Sequence, residues 1–136
     1  MRPSAVGEQT EIAIAAELVK KGYKVSFPFG LNCKYDLVVD DGHSRLKAQF
    51  KTARYIKGTI RFKAFSFTLG GRHRQYSEQE VDIFLSWCPE LNKVYWLERS
   101  EFSTAEPCLR IEKPKNNQKA RIKWATDYEL KNLVTS

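Results

Sequence analysis

A mixed α/β domain is predicted by three features of the sequence. An apolar-periodic stretch near the N-terminus ends at a glycine, several short apolar runs are separated by turn residues, and 136 residues suit one domain. Such a chain buries roughly two-thirds of its unfolded surface and needs no staples to hold a core.

The elements follow in order. A helix is expected from about Ala5 to Lys21, with Ile12, Ala15, Ala16, Leu18 and Val19 as its apolar face and Gly22 closing it. "YKVSFP" reads as a short strand, "GLNCK" as a loop and "YDLVVD" as a second strand. "DDGHS" is turn chemistry and leads into the strand "RLKAQFKTA". In "IKGTIRFKAFSFTLGGRHRQYS", Ile60, Phe62 and Ala64 alternate with Thr59, Arg61 and Lys63, which predicts a twisted strand or hairpin extending from the core. "VDIFLSW" reads as a buried strand and "KVYWLERSEF" as another; the tail from about Thr126 to Leu133 reads as helical. Trp87, Trp96 and Trp124 sit in apolar runs and are expected in the core.

Composition narrows the function classes. Hydrophobic residues make up 42% and charged residues 29%, as in globular proteins. No apolar run approaches the ~18 residues of a membrane span, and "MRPSAVGEQTE" lacks the apolar core of a signal peptide, so a cytoplasmic location is expected. Cys33, Cys88 and Cys108 are odd in number and far apart, and His43 and His73 are isolated, which speaks against a disulfide framework or a zinc site. Lys and Arg outnumber Asp and Glu by 23 to 16, an excess that favours polyanionic partners.

The segment from Lys34 to Arg54 carries the chemistry. Asp36, Val38 and Asp40 share one face of their strand; Lys47, Gln49 and Lys51 share one face of the next. A turn centred on Gly42 and His43 sets Asp36 across from Gln49, whereas one centred on Asp41 and Gly42 sets it across from Lys47. Either register gathers a carboxylate, an amide and an ammonium. That set suits phosphodiester hydrolysis: Asp36 and the Gln49 carbonyl oxygen are hard ligands for a divalent cation, and Lys51 can orient water or offset charge on the phosphate. On the helix, Glu8 and Glu11 share a face, and Glu11 lines up with Ala15 and Leu18 on or beside the core-facing stripe.

Taken in order, Glu11, Tyr35-Asp36 and Gln49-Phe50-Lys51 resemble the signature of the PD-(D/E)XK nuclease superfamily. The frame "GEQTEIAIAAELVKKGYKV" resembles the first helix of archaeal Holliday-junction resolvases, where a Glu precedes a Gly-Tyr or Gly-Phe pair by three turns; this spacing selects Glu11 over Glu8. "YSEQEVDIFLSWCPELNKVYWLE" and "LRIEKPKNNQKARIKWATDYEL" resemble a bacterial branch that includes an intron-encoded homing endonuclease. Tyr35 stands where the signature has Pro, and Gln49 where most members have Glu or Asp.

The resemblance implies a restriction-endonuclease-like α/β fold, with a mixed sheet flanked by helices and an extended β-ribbon, in one nuclease domain over residues 1–136. It implies a sequence-specific homing endonuclease that cuts double-stranded DNA with Mg²⁺, or Mn²⁺ in its place, at the bacterial nucleoid; because one active site cuts one strand, a homo-oligomer (dimer or tetramer) is expected. A structure-specific resolvase and an inactive DNA-binding module are the alternatives. Asp36, Gln49, Lys51 and Glu11 would be catalytic. Asp36, Gln49, Glu11, the Phe50 backbone carbonyl and, less favoured, Glu8 would hold metal. DNA contacts are expected from the ribbon (Lys57, Arg61, Lys63, Arg72, His73, Arg74) and from the later cluster Lys113, Lys115, Asn116, Asn117, Gln118, Lys119 and Arg121.

Overall fold

In a computed structural model of the chain, residues 3–30, 33–67, 73–77, 79–102, 104–113 and 122–133 are described, with 3, 4, 65–67, 73 and 74 described by their backbone alone. Helix α1 spans Pro3–Lys20. It stops where Gly22 takes φ 94°, a conformation glycine adopts without strain; Gly22 N–H donates to Val19 and Tyr23 N–H to Leu18, closing the last turn.

Among the described residues ten strands follow: β1 (Lys24–Ser26), β2 (Leu37–Asp40), β3 (Arg45–Thr52), β4 (Arg54–Ile56), β5 (Thr59–Arg61), β6 (Phe65–Phe67), β7 (His73–Gln75), β8 (Ile83–Cys88), β9 (Lys93–Glu98) and β10 (Cys108–Arg110). The main sheet has the order β1-β2-β3-β8-β9, with β3 and β8 parallel and every other neighbour antiparallel. Parallel neighbours require a long crossover. Here the chain between β3 and β8 forms strands itself: β4 and β5 pair with β10 in a second sheet, and β6 pairs with β7 as a ribbon.

Alternation along the strands builds two cores, one on each face of the main sheet. Ile14 and Leu18 of α1 pack with Leu37, Val39, Ala48, Ile83, Leu85 and Val94. On the other face Phe84, Cys88, Tyr95 and Leu97 meet Ile60, Phe62 and Leu109 from the second sheet. The predicted mixed α/β class is therefore present, with one layer a helix and the other mainly a small sheet.

Three local expectations change. The buried stripe of α1 is Thr10, Ile14 and Leu18, while Ile12 (71% exposed) and Val19 (61%) face away from the sheet. This helix is apolar on both sides, so the 3.6-residue period alone does not say which side is covered. Glu11 lies exposed beside that stripe. The tail forms only a 3₁₀ turn over Ala125–Tyr128 before Glu129 bridges Tyr95 in extended form. The tryptophans end half-buried, Trp87 and Trp96 packing at the margin of the helix-side core.

Candidate active site

The hairpin register decides between the two turns open to the sequence. Asp40 lies opposite Arg45 and Leu37 opposite Ala48, so the loop centres on Gly42 and His43, and that register continued one step would set Asp36 across from Gln49. The turn is fixed by its own aspartates: Gly42 N–H donates to Asp40 (2.8 Å), and His43 and Ser44 N–H donate to Asp41 Oδ1 (2.9 and 2.7 Å). Those bonds hold the Asp41 carboxyl below its ordinary pKa, which marks it as a turn residue.

Asp36 enters the main sheet just ahead of β2. Its N–H donates to the Ala48 carbonyl (2.8 Å), and its Oδ2 accepts the Phe50 N–H (2.6 Å). Burial raises the Asp36 pKa; the Phe50 N–H and the Lys51 charge pull the other way. Lys51 is half-buried, with its ammonium over the Tyr76 ring, 5.3 Å from the centroid. Burial lowers its pKa and the Asp36 charge opposes the shift. An acid and a base thus lie close enough to influence each other, each desolvated toward its neutral form.

Between them in the chain, Gln49 has a buried Oε1 with no hydrogen-bond partner. An orphaned buried amide oxygen costs free energy of about 1–3 kcal/mol unless something positive meets it. Beside the Asp36 carboxylate, this oxygen fits a hard cation, which takes oxygen donors. Among the described residues, no three His, Cys, Asp or Glu side chains converge on a common point, so such a site would rest on one carboxylate, an amide and backbone oxygen rather than a carboxylate cage.

The other predicted residues are distributed as follows. Glu8 and Glu11 are both exposed on α1 and bond to none of the trio. The helix is instead fastened beside Lys51 by Thr10: buried, it donates to the Val6 carbonyl (3.0 Å) and lies 2.5 Å from the Thr52 hydroxyl. Lys57 sits with Gly58 in the β4–β5 turn, both at positive φ (48° and 77°), and not on a strand face with Arg61. Arg61 is half-buried on β5, Lys63 lies just beyond it, and Lys113 is exposed after β10. His73 and Arg74 begin β7, with Arg74 across from Ser66. Arg72, Lys115, Asn116, Asn117, Gln118, Lys119 and Arg121 lie outside the described residues.

Sequence reading missed Thr10, Thr52 and Tyr76. No spacing rule ties Tyr76 to Lys51 or Thr10 to Thr52; only the folded sheet brings them together.

A mixed sheet whose central antiparallel hairpin presents Asp36, Gln49 and Lys51 is an endonuclease-like α/β fold. The pattern of the PD-(D/E)XK endonuclease family matches residues 1–131, and the chain belongs to that family. Among solved structures it is similar to a bacterial homing endonuclease, I-Ssp6803I, with a TM-score of 0.74 and 23% sequence identity over 95% of this chain and 89% of that one. A search of curated proteins found no match. Family membership makes the chain a nuclease, with DNA as substrate class; nucleases of this family generally use divalent metals. Among the described residues no helix is long and apolar enough to cross a membrane.

Proposed function

We propose that the chain is a sequence-specific endonuclease of homing type, which cuts double-stranded DNA with Mg²⁺, or Mn²⁺ in its place, and leaves 5′-phosphate and 3′-hydroxyl ends. Residues 1–136 act as one nuclease domain, working on DNA at the bacterial nucleoid. The observation that carries this reading is the orphaned Gln49 oxygen beside a desolvated Asp36 carboxyl and Lys51 amine. A structural polar cluster would satisfy its own members.

Asp36, Gln49 and the Phe50 backbone carbonyl would hold the divalent ion, with Glu11 reaching in from α1 and Glu8 as the weaker candidate. When bound, the ion offsets phosphate charge and makes water a better nucleophile. Asp36 keeps the orientation set by the Phe50 N–H, so the carboxylate is placed before any ligand arrives. Lys51 presents its ammonium where charge grows on the phosphate, and the low-polarity wall of Tyr76 strengthens that attraction. Lys57, Arg61, Lys63, Arg72, His73 and Arg74 would contact the target, with the ribbon residues His73 and Arg74 reading bases in a groove, and the cluster from Lys113 to Arg121 would hold the backbone.

One such site cuts one strand, so duplex cleavage calls for a homo-oligomer, dimer or tetramer. The outward face of α1 suits contact with a second copy. Ile12, Ala16 and Val19 are exposed there at helical spacing, an apolar patch that a two-fold pairing with a second copy would cover.

The reading is tested by selecting cleaved sites from randomised duplex DNA with Mg²⁺, against an EDTA control and the Asp36→Asn protein. One recurrent sequence cut only by the metal-loaded wild type is expected. Preference for a four-way junction over every linear site would replace it with a resolvase, and binding without any metal-dependent nicking would leave a binding module.

A further inference from the structure

The second sheet has two unlike faces. Tyr55, Ile60 and Leu109 lie side by side across β4, β5 and β10 and turn toward the core. The opposite face is made of two rows: Arg54, Arg61 and Cys108, then Ile56, Thr59 and Arg110. Those six positions hold three arginines and no carboxylate. Arg54 lies directly across from Arg61, and like charges in that relation destabilise an antiparallel pair.

The repulsion is not relieved from within. Arg54 is exposed and makes no side-chain hydrogen bond or ion pair among the described residues. Among the described residues Arg61 spends only its Nε, which donates to Thr59 Oγ1 (3.0 Å), while that hydroxyl donates to the Ile56 carbonyl (2.6 Å). The bond fixes the plane of the guanidinium and leaves its terminal amino groups open. β4 begins just past β3, so this face starts where the candidate active site ends. A cavity of ≈ 380 Å³ joins them, lined by Lys51, Thr52, Arg54, Arg61, Phe62 and Lys63, with Glu106 as the one carboxylate among the described residues around it.

We infer that this cavity binds a phosphate of the nucleic-acid backbone next to the bond that Lys51 addresses, gripped between Arg54 and Arg61. The inference rests on the nuclease reading and adds to it a site that sets which phosphate reaches Lys51. An anion between the two guanidiniums turns the cross-strand repulsion into paired charge-assisted hydrogen bonds. Arg110, in the neighbouring row, continues the same basic face one position along.

Thymidine 3′,5′-bisphosphate, which carries phosphates but no internal phosphodiester, is the first probe, measured by titration calorimetry in EDTA. The wild type is expected to bind it, Arg54→Ala and Arg61→Ala to weaken binding by roughly tenfold each, and Arg45→Ala, which removes an equal charge from the exposed hairpin turn, to leave it unchanged. With a mixed-sequence duplex, Arg54→Ala should reduce the slope of log affinity against log salt by about one. No bisphosphate binding by the wild type, or equal losses in Arg54→Ala and Arg45→Ala, overturns the inference. The two readings also part cleanly. Metal-dependent cleavage by a wild type whose binding ignores Arg54 sinks this site and spares the nuclease. Arg54-dependent binding without cleavage does the opposite.

Discussion

Lys47 and Lys51 stand four residues apart on the same face of β3, both half-buried, and the fold treats them in opposite ways. At Lys47 everything is matched: its ammonium donates to the Gln79 carbonyl, its N–H donates to Asp82 Oδ2 (2.8 Å), and Asp82 N–H donates back to the Lys47 carbonyl (2.8 Å). At Lys51 the ammonium makes no hydrogen bond among the described residues, leans on an aromatic ring, and has its pKa pushed down by burial. One lysine is used up by structure. The other is kept short of partners at a cost in stability, which is what a group reserved for a ligand looks like.

The sharpest way to break this contrast is to remove each group and measure activity and stability together. Lys51→Ala and Asp36→Asn should each lower metal-dependent cleavage by about 10³-fold or more while duplex binding is retained. Neither should lower the melting temperature. The folded-state pKa of Asp36 is raised above 3.8, so the stability it contributes is present below that pH and lost as pH rises; at neutral pH the ionised group is a burden. That of Lys51 is lowered below 10.5, so its contribution is present above that pH and lost as pH falls, and the ammonium is likewise a burden at neutrality. A clear drop in melting temperature with cleavage intact would show that both groups are structural.

The contrast was half legible in the sequence. The shared parity of residues 47, 49 and 51 is a property of any strand, and Asp-Asp-Gly marks its own turn, so the trio could be assembled on paper. Which lysine would be matched was not legible, because Asp82 and Gln79 reach Lys47 only through the parallel pairing of β3 with β8, across a crossover that no periodicity announces. Nor was the covered side of the helix fully legible: Ile12 and Val19 look like core residues in sequence and face outward in the fold, while Leu18 of the same expected stripe is buried.

Gln49 offers a milder test. Its orphaned oxygen is a neutral donor, and Gln49→Glu sets a second carboxylate beside Asp36. If a cation belongs there, half-maximal cleavage should need roughly tenfold less Mg²⁺. In EDTA the same substitution should lower the melting temperature, since two desolvated carboxylates repel. An unchanged Mg²⁺ requirement would put the cation elsewhere. Smaller again is Lys47→Ala, expected to lower stability by about 1 kcal/mol in chemical denaturation through the lost bond to Gln79, and to leave the rate of cleavage within severalfold.

The smallest effect asks whether every unmatched polar atom near Lys51 serves the ligand. Lys51, Ser86 and Tyr95 form one row across β3, β8 and β9, and both Ser86 Oγ and Tyr95 Oη are buried without partners. Burial, then the charges of Glu129 and Cys88, push the Tyr95 pKa up to about 12. A raised value means the fold favours the neutral phenol, so stability from this group is present below pH 10.0 and lost as pH climbs toward 12. Tyr95→Phe should remove that alkaline loss and, by deleting a buried hydroxyl with no acceptor, raise stability by up to about 1 kcal/mol at neutral pH. Denaturation at neutral pH and above pH 10 reads both effects. If the variant also lost cleavage with its stability intact, the unmatched row would extend the active site three strands into the sheet, and the division drawn at Lys51 would have to move.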